Sequence, residues 1–77
     1  CALGQAAASV LAAHVIGKSA EDILVVRDQV RDMLADKGPS PDGDWSALSA
    51  LAPAKDAKSR HGAILLPFNA VLKAFAS

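Results

Sequence analysis

Ile23, Val26, Val30, Met33 and Leu34 fall three or four residues apart, and this spacing constrains the chain more than any other feature. Residues at that spacing share one face of an α-helix, whereas a strand would need strict alternation. Asp28, Arg31, Asp32 and Asp36 take the opposite face. Ser19 stands before the stripe as an N-cap, with Glu21 and Asp22 in the first turn, where the helix macrodipole favours negative charge. The pair Val25–Val26 costs some helix propensity, but the period persists on both sides of it. A helix is therefore expected from about Ala20 to Lys37, closed by Gly38.

The same test finds three more helical segments and no strand pattern, so the fold class is all-α. The first runs from about Ala2 to Ile16 and is rich in Ala, the best helix former. Leu3, Val10, Leu11 and Val15 follow helical spacing, with Ala6, Ala7 and Ala13 assigned to the same side, and Gly17 serves as the C′ residue. Gly38-Pro39-Ser40-Pro41-Asp42-Gly43 has the chemistry of an exposed loop. Asp44 is expected to cap a short helix carrying Trp45, Leu48 and Leu51 and stopped by Pro53. The last helix, from about Ser59 to Ala76, presents Ile64, Leu65, Phe68, Val71, Leu72 and Phe75. Pro67 inside it removes a ladder bond, which predicts a kink or two abutting helices.

Seventy-seven residues make one domain at most, and a core of this size seldom supplies more than roughly 3–5 kcal/mol on its own. Seventeen of the 40 apolar residues are Ala, yet the rest suffice to exclude disorder. Eight basic residues balance eight acidic ones, and aromatics total three. That balance leaves no electrostatic footprint or stacking platform for nucleic acid, and none for an anionic membrane. The single Cys excludes a disulfide framework and a multi-cysteine zinc finger, and it implies a reducing, cytoplasmic setting. The apolar stretch Ala6–Ile16 is too short to span a bilayer and lacks the basic flank of a signal peptide. With Cys in first place, the chain reads as a piece of a longer protein whose N-terminal part is absent.

Two residues carry candidate chemistry. Cys1 stands at or just before a helix N-terminus, where the dipole and free amides favour the thiolate that a metal site requires. The plain alternative is a small buried side chain. His61, at the start of the last helix, offers a neutral imidazole, a common metal ligand. A lone His beside Arg60 is more often simply a solvent-exposed residue. His14 reads as a partly buried helix-face residue and Trp45 as an anchor of the short helix. Asp28, Asp32 and Asp36 form a solvated face offset by Arg27 and Arg31. No phosphate loop, nucleophile elbow or metalloprotease motif is present, which removes hydrolases and nucleotide enzymes.

Cys1-Ala2-Leu3-Gly4-Gln5-Ala6-Ala7-Ala8-Ser9, followed by Val15-Ile16-Gly17-Lys18-Ser19 and Glu21-Asp22, resembles a segment of the NifU/IscU-like iron–sulfur cluster assembly scaffolds, in particular their SufU branch. In that family a Cys-Ala-x-Ser-Gln-Ala-Ser-Ala-Ser run around the second cluster-binding cysteine leads into a helix ending Ile-Gly-Lys/Arg-Ser/Thr. The order of later segments fits over most of the chain, although only the first 22 residues or so are specific. Family scaffolds use three cysteines. The first would lie upstream of this chain, and Gly62 stands where the third should open the last helix. His61 matches a position that is His in some relatives and serves there at the metal.

The resemblance implies the helical C-terminal part of an α+β scaffold. It would hold a transient [2Fe–2S] cluster, or iron and sulfide precursors, and pass them to apoproteins. It would be a scaffold and not an enzyme in the usual sense. Cys1 would be the thiolate ligand and His61 a second, with zinc also suited to this donor set. The implied partners are a cysteine desulfurase and recipient apoproteins. Two ligands fall short of the usual four, so this chain alone is expected to hold little metal. The rival readings are a degenerate relative that keeps the fold as an interaction module, and a zinc-dependent sulfurtransferase. Without the family's sheet, the Ala-rich face of the first helix and the Ile64, Leu65, Phe68, Leu72 and Phe75 face of the last should be bare, which predicts a homodimer.

Overall fold

In the computed structural model, which describes residues 2–77, the apolar stripes close on one another. Helix α1 spans Ala2–His14 and α2 spans Ala20–Leu34. A run of 3-10 turns occupies Gly43–Asp56, a short 3-10 turn follows at Lys58–Arg60, and α3 spans His61–Ala76. No strand forms among the described residues, in agreement with the all-α reading.

All five stripe residues of α2 are buried, as their spacing requires. Ser19 caps the helix with a reciprocal box. Its hydroxyl accepts from the Asp22 amide at 3.1 Å, and the Asp22 carboxylate accepts from the Ser19 amide at 2.9 Å. Two of the orphan donors at the helix start are satisfied in this way. The Ser19 amide first, and its hydroxyl second, hold the Asp22 carboxyl below its ordinary value.

The helix ends three residues before Lys37. Asp36 adopts φ 58°, while the Lys37 amide donates to Asp32 O at 2.8 Å and the Asp36 amide to Met33 O at 3.1 Å. This is a Schellman closure with Asp in the left-handed C′ position, so Gly38 is not the residue that stops α2. Asp is among the few side chains that tolerate this conformation.

α1 stops at His14, and Val15–Lys18 form a turn closed by the Lys18 amide on Val15 O at 3.1 Å. Gly17 has φ 83° at the third turn position, where Gly is favoured, and does not directly cap the helix. Ala7 and Leu11 are buried, but Ala6 and Ala13 are exposed and lie off the packed face.

The segment after the loop differs most from expectation. Trp45, Leu48, Leu51 and Ala54 recur every three residues, which matches the three residues per turn of a 3-10 helix. Leu48, Leu51 and Ala54 are buried and Trp45 is half-buried. Pro53 lies exposed on the outer side and the run continues past it to Asp56. Asp44 does not cap: the run starts at Gly43, and the Asp44 carboxylate instead takes Lys18 Nζ at 2.7 Å. Pro41, placed by its neighbours in an exposed loop, is buried.

α3 lies beside α1 in the same direction. Gly4, Gln5 and Ala8 face Ala63, Pro67 and Ala70 across one groove, and further along Val15 and Ile16 line a second groove with Val71, Ala74 and Phe75. α3 is one unbroken helix through Pro67. Proline there leaves the Ala63 carbonyl without its usual amide partner and presses a ring against it. That oxygen faces Gly4, where a Cβ would stand only 3.0 Å away. A glycine opposite a proline-freed carbonyl lets the two helices approach and leaves the oxygen room.

Ile64 and Phe68 are fully buried inside the bundle, so much of the face expected to be bare is covered by the chain itself. Each such side chain contributes on the order of 2 kcal/mol relative to exposure. Phe75, at 46% exposure, departs from the packed side, as do Leu66 at 65% and Ile16 at 90%.

Candidate functional site

His61 is the first residue of α3, delivered by the 3-10 turn Lys58–Arg60, and its amide closes on Lys58 O. The ring is half-buried, and its Nε2 lies 2.9 Å from the carbonyl oxygen of Ala54. A carbonyl only accepts, so Nε2 carries a proton in this hydrogen bond. His61 forms one wall of an open pocket of about 620 Å³ between the end of α2 and the 3-10 segment. Asp36, Lys55, Asp56 and Lys58 also line it, and Lys55 Nζ stands 3.9 Å from Asp36 Oδ1.

Cys1 lies outside the described residues. The turn that follows it, Ala2–Gly4, packs beside the first turn of α3, with Gly4 against Ala63. The N-terminal ends of α1 and α3 thus open at the same end of the bundle. Gly62, between His61 and Ala63, is exposed and has no neighbour within 4 Å of where a Cβ would be. Glycine at this position answers no steric demand.

The remaining residues with candidate chemistry are spent on structure. His14 meets the Trp45 ring edge-on, 5.8 Å between centroids and 68° between planes. Lys18 Nζ stands 5.9 Å from the same ring while it binds Asp44. The Asp44 hydrogen bond raises the Lys18 pKa, and in return Lys18 lowers that of Asp44. This clasp fastens the α1–α2 turn to the start of the 3-10 run. Its partners are 26 residues apart, and no local spacing announces them. Asp28 pairs with Arg27 at 2.8 Å and Arg31 at 3.3 Å, and Arg31 stands 3.6 Å from Asp32, so that face is ionic and solvated, as the interleaved charges imply. Among the described residues no three His, Cys, Asp or Glu side chains gather as a metal site would require. None of their helices is long and apolar enough to cross a membrane.

An all-helical domain with parallel first and last helices, bridged by a capped α2 and a 3-10 run, is thus the class of structure at hand. No protein-family model matches the chain, and no curated protein matches it. A crystal structure of a nitrogen-fixing NifU-like protein (N-terminal) from Brucella abortus superposes with a TM-score of 0.89 at 42% sequence identity, over 95% of this chain and 51% of that one. The chain is a NifU-like helical domain. It spans about half the length of the solved structure that it matches.

Proposed function

We propose that this domain serves iron–sulfur cluster assembly, as part of a scaffold that holds iron and sulfide as a [2Fe–2S] cluster, or its precursors, for transfer to apoproteins. The observation that carries the reading is the meeting of the first turns of α1 and α3, Gly4 against Ala63, because Ala2–Gly4, which follow Cys1 in sequence, and His61 belong to those two turns. Thiolate and imidazole suit iron or zinc. His61 supports this chemistry, since a metal-binding imidazole ordinarily donates its second nitrogen to a carbonyl or carboxylate, and Ala54 supplies that acceptor. The metal is cargo, and the protein performs no acid–base turnover. A cysteine desulfurase and apoprotein recipients are the partners that this role requires, in a cytoplasmic setting.

Iron and zinc content of the protein, measured against its Cys1→Ala variant, tests the reading. Loss of metal in the variant is expected, and equal metal content in the two overturns it. Gly62 favours a second reading, an interaction module that has lost its metal, because the family's third cysteine is missing there. Open space around Gly62 makes Gly62→Cys a clean discriminator. Stronger metal retention in that variant supports a weakened scaffold, and no change supports the module.

A further inference from the structure

Three of the chain's five lysines, Lys37, Lys55 and Lys58, line the open pocket of about 620 Å³ between the end of α2 and the 3-10 segment. They come from three separate stretches: the closure of α2, the end of the 3-10 run and the short turn before α3. The backbone beneath them is fixed. The Lys37 amide donates to Asp32 O at 2.8 Å, and the Ala57 and Arg60 amides, on either side of Lys58, donate to Ala54 O and Ala57 O at 2.9 Å. Like charges gathered in this way repel, and the pocket wall offsets only part of that repulsion. Asp36 Oδ1 stands 3.9 Å from Lys55 Nζ. Neither Lys37 nor Lys58 has an ion-pair partner among the described residues. Three lysines face two carboxylates, Asp36 and Asp56, so the pocket is positive on a chain whose net charge is zero.

We propose that this pocket is a docking site for an acidic segment of another protein, whose Asp or Glu side chains pair with Lys37 and Lys58. Leu34 and Ala35, which also line the pocket, supply apolar surface for the stems of those side chains. The proposal goes beyond the iron–sulfur reading, since it asks nothing of Cys1 or of a metal. A polyphosphate backbone carries a charge at every step and cannot leave a gap opposite Asp36 and Asp56. A peptide can place an uncharged residue there. A membrane surface is flat and does not enter a concave site. Because turns already hold the backbone under the lysines, docking has only their side chains to order.

Chemical-shift mapping on the ¹⁵N-labelled chain, with hexaglutamate as the probe, tests this. At low ionic strength the peptide should shift the amides around Lys37 and Lys58, and the shifts should fade as salt is added. A Lys37→Gln, Lys58→Gln double variant should bind roughly fivefold more weakly, the worth of two exposed ion pairs. Both side chains are exposed, so its melting temperature should hold. Lys73→Gln removes a charge from the last turn of α3 and should leave the affinity unchanged. A loss in Lys73→Gln equal to that of the double variant, or no shift at the pocket, overturns the proposal. Tighter binding of a single-stranded DNA oligomer, or of phosphatidylglycerol vesicles, at the same lysines puts a phosphate-bearing partner in place of the acidic peptide and overturns it too.

Discussion

Replacing Gly4 by Ala should destabilise the domain, although the change favours helix formation. In an open helix interior it would gain up to about 1 kcal/mol. Here the new methyl would stand 3.0 Å from the Ala63 carbonyl oxygen and 3.5 Å from its carbon. That oxygen is backbone, wedged from its own side by the Pro67 ring, so it cannot rotate away as a flexible side chain would. Relief requires α1 and α3 to part by a few tenths of an ångström along a seam that holds Ala7, Ile64 and Phe68. Overpacking of this kind costs about 1–3 kcal/mol, which leaves a net loss of about 1 kcal/mol after the helix gain. For a domain of this size that is roughly 4–8 °C in Tm. Urea and thermal unfolding, followed by helical circular dichroism and by the single Trp45, measure it. Pro67→Ala provides the control: it returns an amide to Ala63 and lets the carbonyl swing towards its own helix axis. The cost of Gly4→Ala should then shrink by about 0.5–1 kcal/mol in the double variant. A Gly4→Ala protein that melts higher than the parent refutes the argument, because propensity would then outweigh the contact.

Asp36→Gly should raise stability by about 0.5–1 kcal/mol, since φ 58° suits Gly and the lost Lys55 pair is long and exposed. A lower urea midpoint would show that the cap is not strained. Asp22 and Asp44 are both held below their ordinary carboxyl values in the folded chain, so they stabilise it above the unfolded value near pH 4, and that stability is lost as pH falls through the folded values. Urea midpoints of Asp22→Asn and Asp44→Asn should therefore fall less steeply below about pH 4 than those of the parent, and an unchanged acid slope would contradict the capping and clasp roles. Self-association is expected through the outer face of α1 and α3, where Ile16, Leu66 and Phe75 remain exposed, and Leu66→Lys should weaken it at least tenfold in sedimentation equilibrium. A single species of about 8 kDa for the parent at all concentrations rules it out.

The helical period of α2 was legible to the residue, because five large side chains over three turns leave no rival register. α1 was legible in kind but not in rotation. Where most residues are Ala, burial of Ala7 and exposure of Ala6 and Ala13 depend on where Leu3 and Leu11 point, and composition blurs the stripe. The 3-10 run was visible in principle as the interval of three from Trp45 to Ala54, but Asp44 before a Leu-rich stretch imitates an ordinary capped helix. Pro67 pointed to a kink or to two abutting helices, and the second did not occur: α3 runs unbroken through it, with the carbonyl it frees facing Gly4 of another helix. As for the candidate site, His61 was singled out by its place at the start of the last helix, and its ligand role stays a proposal. Its hydrogen bond to Ala54 was not legible, since the acceptor is a backbone carbonyl that any residue at position 54 would supply.

The parallel pairing of α1 and α3 also sets an order of events during synthesis. The turn around Gly4 emerges first, and its partner around Ala63 only after ~60 more residues, several seconds later at a rate of roughly 5–20 residues per second. A 13-residue helix is marginal by itself in water, however rich in Ala. α2, with its own cap and complete stripe, and the 3-10 run that packs on it can form meanwhile. α1 must therefore wait, loosely helical at most, until the last segment arrives to close the seam. Any slowing of translation before α3 is complete lengthens the interval in which the residues following Cys1 have no partner within the domain.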